Sequence, residues 1–136
     1  MNFLIDTNVI SEPRRPKPDR NVLDWFNRTD QADVFISVLT LGELARGSAK
    51  VAQRDATAGL RLQRWIDEVN ADFVDRIIDV DRNIATLWGK LISSRTMPVV
   101  DSLLAATAIV REMTLVTRNV RDIADTGVTI LNPWEG

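Results

Sequence analysis

Short apolar runs punctuate the chain at Phe3–Ile5, Val34–Ile36, Ile77–Ile78, Leu115–Val116 and Val128–Leu131. They are partly β-branched and show little alternation, the pattern of strands covered on both faces. Between them the spacing turns helical. Ala58, Leu62, Trp65, Ile66 and Val69 form one apolar stripe, and Ile84, Leu87, Trp88, Leu91 and Ile92 form another. Leu41, Leu44, Ala45, Ala49 and Ala52 predict the core face of a helix after the second strand, with Glu43, Arg46, Gly47 and Lys50 together on another face. The segment SLLAATAIV after Asp101 is apolar almost all round and predicts a buried, closely packed helix. Strands alternating with helices predict an α/β fold around a parallel sheet of four to five strands. Segment 11–20, SEPRRPKPDR, holds three of the five prolines and predicts an extended loop. A solvated connector is the favoured reading of its basic residues Arg14, Arg15, Lys17 and Arg20, and contact with phosphates is the alternative.

A length of 136 residues, 45% of them hydrophobic and 26% charged, predicts one domain spanning 1–136 with a real core. The chain has neither cysteine nor histidine. That removes disulfides, thiolate or imidazole zinc sites, and Cys–His or Ser–His catalysis. Acid–base work falls to carboxylates, lysines or bound water. The lack of cysteine suits a reducing cytoplasm, the expected location. No basic leader precedes a long apolar segment, and the run VVDSLLAATAIV at 99–110 is too short to span a bilayer, so no membrane partner is expected. A net charge of −2 argues against nonspecific coating of duplex DNA but leaves room for a local basic groove.

The acids fall at the ends of elements. Asp6 follows the first strand, Glu43 opens the helix after the second, Asp101 opens the buried helix, and Asn119 with Asp122 follows the fourth strand. In a parallel sheet these positions share the edge where ligands usually bind. Each also has a local explanation. Thr40-Leu-Gly-Glu43 matches a capping box. Asp101 and Asn119 fit N-cap positions, Asp122 fits an acid-favouring first turn, and Asp6 with Thr7 and Asn8 fits an Asx turn. Taken together, several carboxylates at one edge repel each other, and a divalent cation offsets that repulsion. Oxygen-only ligands favour Mg²⁺ or Mn²⁺, ions suited to phosphoryl chemistry.

The pieces LIDTNVISE at 4–12, ISVLTLGELARG at 36–47, VVDSLLAATA at 99–108, LVTRNVRDI at 115–123 and LNPWEG at 131–136 occur in one order from end to end. In these the chain resembles PIN-domain ribonucleases, specifically the VapC/FitB-like toxins of bacterial toxin–antitoxin pairs. The resemblance implies a PIN-like three-layer sandwich, with the central parallel sheet flanked by helices. It also implies a Mg²⁺- or Mn²⁺-dependent endoribonuclease with an acidic pocket built by Asp6, Glu43 and Asp101. Asp6 and Asp101 are then inner-sphere metal ligands, and Glu43 binds metal or orients the attacking water. The family's fourth acidic position falls on Asn119, an amide here, and Asp122 stands nearby as a replacement carboxylate. Thr7, Asn8, Ser37, Thr117 and Arg118 are candidate supporting groups, and Arg46 and Lys50 candidate contacts to RNA phosphates. A helix-surface ion pair is the alternative for those two. By the same resemblance the partners are an RNA substrate, a small cognate antitoxin and a second copy in a homodimer.

Two other readings stand beside this one. Another Mg²⁺-dependent phosphoryl-transfer enzyme fits the acids, although a haloacid-dehalogenase-type phosphatase needs an aspartate where Asn8 stands. A PIN-like module that binds RNA or antitoxin without turnover is the other, and Asn119 keeps it open.

Overall fold

The computed structural model describes residues 1–136. Five strands, β1 (Phe3–Ile5), β2 (Val34–Ser37), β3 (Ile77–Ile78), β4 (Thr114–Val116) and β5 (Ile130–Leu131), form one sheet in the order β3-β2-β1-β4-β5. Every pairing is parallel. β1 is central: the chain winds outward through β2 and β3 on one side, then returns to lay β4 and β5 on the other. The order therefore reverses at β1, where Leu4 pairs with Phe35 on one flank and with Leu115 on the other.

Seven helices cover the sheet: α1 (Thr7–Ser11), α2 (Arg20–Arg28), α3 (Val38–Arg54), α4 (Ala56–Asp72), α5 (Arg82–Ile92), α6 (Val99–Val110) and α7 (Val120–Ile123). Strand alternation sorts the core into two layers. Leu4, Ile78 and Leu115 point to the side of Ile84, Leu104 and Ile123, on α5, α6 and α7. Ile5, Ile36 and Val116 point to the side of Val9, Trp25, Leu44 and Ile66, on α1 to α4. Burying each such side chain contributes about 1.5–3 kcal/mol before the entropy of ordering is counted. The helix after Asp101 is buried as its composition predicts, with Ser102 and Leu104 through Ala108 enclosed. No helix is long and apolar enough to cross a membrane.

Three local expectations are corrected. The proline-rich segment is not wholly extended: Ser11 ends α1, Glu12–Arg14 form a 3₁₀ turn, and Arg20 opens α2. Pro13 sits where the first turn needs no N–H donor. The buried Glu12 carboxylate then ties the segment down, accepting from the Asp19 N–H at 2.9 Å and from Arg15 at 3.2 Å. The Thr40–Glu43 capping box does not form. Ser37 caps α3 at the end of β2, its hydroxyl accepting from the Leu39 N–H at 3.0 Å. Thr40 lies inside the helix with its hydroxyl buried and unpartnered, and Glu43 is in the second turn. Lastly, the core face of α3 is rotated: Thr40, Leu44 and Ser48 are buried, while Ala45, Ala49 and Ala52 are exposed.

Ala52 is the alanine that meets the neighbouring helix closely. At Gly59 of α4 an added Cβ would lie 2.6 Å from the Ala52 Cβ and 2.7 Å from its Cα. Because backbone must move, Gly59→Ala is expected to lose stability by about 1–3 kcal/mol in denaturant unfolding despite alanine's better helix propensity. A stability equal to or above that of the native protein would show that α3 and α4 separate freely.

Candidate active site at the carboxyl edge of the sheet

Asp6 belongs to two structures at once. Its N–H continues the sheet by donating to the Val116 carbonyl at 3.1 Å. Its side chain then caps α1, Oδ1 accepting from the Val9 N–H at 3.0 Å. Oδ2 accepts from the Thr117 hydroxyl, and that same hydroxyl accepts from the Asn119 N–H at 3.1 Å. Thr117 thus ties the end of β1 to the segment after β4. The Asx turn expected at Asp6 is real as a helix cap, and the residue still borders an open hollow.

The other acids reach the same place from different elements. α6 feeds β4 through a short turn, so its N-terminal end lies at the opposite, carboxyl edge. Asp101 sits in the first turn there, with Pro98, not Asp101, at the cap position. Glu43 arrives from α3 and accepts from the Thr7 hydroxyl. Asn119 occupies the cap position of α7, but its side chain makes no capping bond. Instead the amide stands beside Asp101 on one hollow and holds that carboxyl down. Asp6, Thr7, Asn8, Glu43, Asp101 and Asn119 all line one hollow of about 410 Å³. Its remaining wall is Pro98, Val99, Val100 and Leu104.

Asp122 does not line that hollow. It lies exposed in the first turn of α7, and only its charge reaches Asp101. Ser37 is buried and spends its hydroxyl on the α3 cap. Arg118 is exposed and stacks on Trp134, its guanidinium carbon 4.9 Å from the ring centroid. Arg46 and Lys50 line an adjoining hollow with Thr7 and Glu43. The apolar wall went unrecognised in the sequence. Its signal is a proline followed by two valines just ahead of an acid, with Val99 left 61% exposed.

The electrostatics are those of an uncompensated acidic cluster. Burial pushes the Asp6 carboxyl above its usual range, against the hydrogen bonds from Thr117 and the Val9 and Asn8 backbone, with the charge of Glu43 adding to the rise. Asp101 is raised by burial and then by the charges of Asp6, Asp122 and Glu43, while Asn119 pulls it back. All the ion pairs in the molecule lie elsewhere, so no arginine or lysine neutralises these acids. The carboxylates surround the hollow without closing into a three-acid cage. A divalent cation fits this donor set: the oxygens are hard, Asp6 is 5% exposed with no cation of its own, and the repulsion is what such an ion relieves. Asp6 and Asp101, with Glu43 nearby, are the residues that would hold it.

A family model described as "PIN domain" matches residues 3–128. "Toxin FitB" of Neisseria gonorrhoeae is 31% identical, the match covering 97% of this chain and 98% of that protein. "VapC ribonuclease Y4jK" of Sinorhizobium fredii is 30% identical over 98% of each. The crystal structure of FitAcB from Neisseria gonorrhoeae superposes with a TM-score of 0.84 at 30% identity, covering 98% of this chain and 99% of that one.

The cluster has a consequence for stability. A raised carboxyl binds more protons in the folded state than in the unfolded one, so without metal the protein loses stability as pH rises from 3.8 through the raised value. Asn caps helices as well as Asp does. Asp6→Asn is therefore expected to raise the melting temperature of metal-free protein by a few degrees at neutral pH, with no gain below pH 3.8. Adding Mg²⁺ or Mn²⁺ should reverse the order, stabilising the native protein alone. Scanning calorimetry across pH checks both signs.

Proposed function

The chain belongs to the PIN-domain family, and from that premise we propose that it is a Mg²⁺- or Mn²⁺-dependent endoribonuclease acting as the toxin of a toxin–antitoxin pair. The observation that carries this reading is the gathering of Asp6, Glu43, Asp101 and Asn119 around one hollow at the point where the strand order reverses, with no protein cation among them. The names of the relatives, a toxin and a ribonuclease, agree with it. A small cognate antitoxin and a homodimer belong to the same reading, through the family.

A bound divalent cation supplies water activation and neutralises charge on the phosphate and the leaving oxygen. The chain's own residues divide the remaining work. Asp6 would be the fixed ligand, since the Val9 N–H and the Thr117 hydroxyl hold its two oxygens in place before anything binds. Such preorganisation spares the site reorganisation when charge develops. Asp101 would hold the ion from α6, and the neighbouring Asn119 amide favours its charged form without adding a further negative charge. Glu43, exposed at the rim and steadied by Thr7, is placed to take a proton from the attacking water at its free carboxylate oxygen. In-line attack on the phosphodiester leaves a 5′ phosphate and a 3′ hydroxyl. The Pro98–Val99 wall gives the hollow one apolar side.

The amide at 119 and the open spacing of the carboxylates are what favour the second reading, a module that binds without turnover. Metal-dependent cleavage separates the two. Asp6→Asn and Asp101→Asn are each expected to lower RNA cleavage by at least about 100-fold, of the order seen when one transition-state-stabilising group is lost, with circular dichroism unchanged. Cleavage by both variants at the native rate, with contaminating nuclease excluded, would assign the reaction elsewhere.

Asp122 provides a graded control. Because it acts on Asp101 only through charge and from the surface, Asp122→Asn should weaken Mn²⁺ binding roughly 2- to 5-fold at low salt and hardly at all at high salt. A loss as large as that of Asp101→Asn, persisting at high salt, would place Asp122 on the metal.

A further inference from the structure

Beside the acidic hollow lies a second one of about 310 Å³, lined by Thr7, Glu43, Arg46, Gly47 and Lys50, with no apolar residue. The two share Thr7 and Glu43, so the hydrogen bond between those side chains forms the partition. On one side of it stand the carboxylates. On the other, Arg46 and Lys50 extend from α3 one turn apart, both exposed and neither paired with an acid. The helix-surface ion pair that their spacing from Glu43 allows is not formed.

Gly47 lies between the two cations, in the interior of a 17-residue helix. There glycine carries a helix-propensity penalty relative to alanine. Packing does not account for it: a Cβ at Gly47 would meet nothing within 4 Å, unlike one at Gly59. The missing side chain leaves the helix backbone as an open floor between two unpaired positive charges.

We propose that this hollow is a phosphate subsite, in which Arg46 and Lys50 hold the RNA backbone phosphate next to the one being cut, over the bare surface of Gly47. The inference rests on the ribonuclease reading of the adjoining pocket. It adds a direction to that reading: the strand crosses from the acidic hollow over the Thr7–Glu43 partition and onto α3. The site then grips a neighbouring phosphate by charge while the acidic hollow takes the scissile one. This keeps an RNA strand on a protein that is net negative.

The test is equilibrium binding of a short fluorescein-labelled single-stranded oligoribonucleotide, by anisotropy over a range of salt, in an Asp101→Asn background that does not turn over. Adding Arg46→Gln and Lys50→Gln together is expected to weaken binding roughly 10-fold and to shrink the log–log salt slope by about 0.7, the value for one phosphate contact on a single strand. Gly47→Leu, which fills the hollow without removing a charge, is expected to weaken binding as well. Unchanged affinity and slope in the double glutamine variant overturns the subsite, and unchanged affinity in Gly47→Leu overturns its placement on the helix floor. Inorganic phosphate binding that is lost in the glutamine variant, while RNA binding is unchanged, assigns the hollow to a free anion and also overturns the proposal. The outcomes separate from those of the reaction. If the native protein cuts RNA, and the two glutamines leave binding unchanged in the Asp101→Asn background and cutting unchanged in the native one, only the subsite fails. If the slope falls as expected but no preparation ever cuts RNA, only the ribonuclease reading fails.

Discussion

A carboxylate buried at the end of a central strand costs folding free energy unless something positive meets it, and Asp6 meets only neutral hydrogen-bond donors. The surrounding architecture follows from holding that group in place. β1 must be the middle strand, so that elements from both halves of the chain arrive beside it. Its last residue must leave the sheet at once, which the Asp6 cap on α1 achieves. Thr117, one residue past β4, closes the arrangement from the other flank. The same side chain that turns the strand into a helix is the one with the strongest need for a cation.

The three-layer packing explains why this arrangement is stable enough to persist. Leu4 and Ile5 are fully buried on opposite faces of the sheet immediately before Asp6, so the strand cannot slide to relieve the acid. α6 is anchored by its buried residues between Ser102 and Ala108, which fixes the depth at which Asp101 stands. Trp88 reinforces it, its indole donating to the Ser102 hydroxyl at 3.0 Å, one residue beyond Asp101. Glu43 differs in kind. It sits at the rim on a helix whose outer face is polar, where movement costs little, and this suits a group that handles protons more than one that anchors an ion.

Much of this was legible in the sequence, for physical reasons. Strands covered on both faces are written as dense apolar runs, and all five were located, although β5 is confined to Ile130–Leu131 and β4 begins earlier, at Thr114. The meeting of Asp6, Glu43, Asp101 and Asn119 followed from strand order, because the carboxyl edge of a parallel sheet is a single place. Local details were harder. Ser37 and Thr40 are equally good caps on paper, and only the end of β2 decides between them. The alternation of α3 misled because alanine serves both a core and a close helix–helix seam, and Gly59 makes the second use decisive. Prolines 13, 16 and 18 obscured a 3₁₀ turn and the approach to α2, since proline is as acceptable at the start of a helix as in a loop. Asp122 and Asn119 could not be told apart by spacing alone. The direction of a side chain three residues along a short helix is set by the fold, and here it turns Asp122 outward.

The raised carboxyls at Asp6 and Asp101 are the groups that a divalent cation would engage. Titration calorimetry with Mn²⁺, repeated in buffers of different ionisation enthalpy, measures the protons released per ion bound. Because ligands must be deprotonated, release should be largest below the raised carboxyl values and fade as pH climbs past them, and Asp6→Asn should abolish both binding and release. Mn²⁺ binding with no proton release at any pH, or with the same release in Asp6→Asn, would contradict the account.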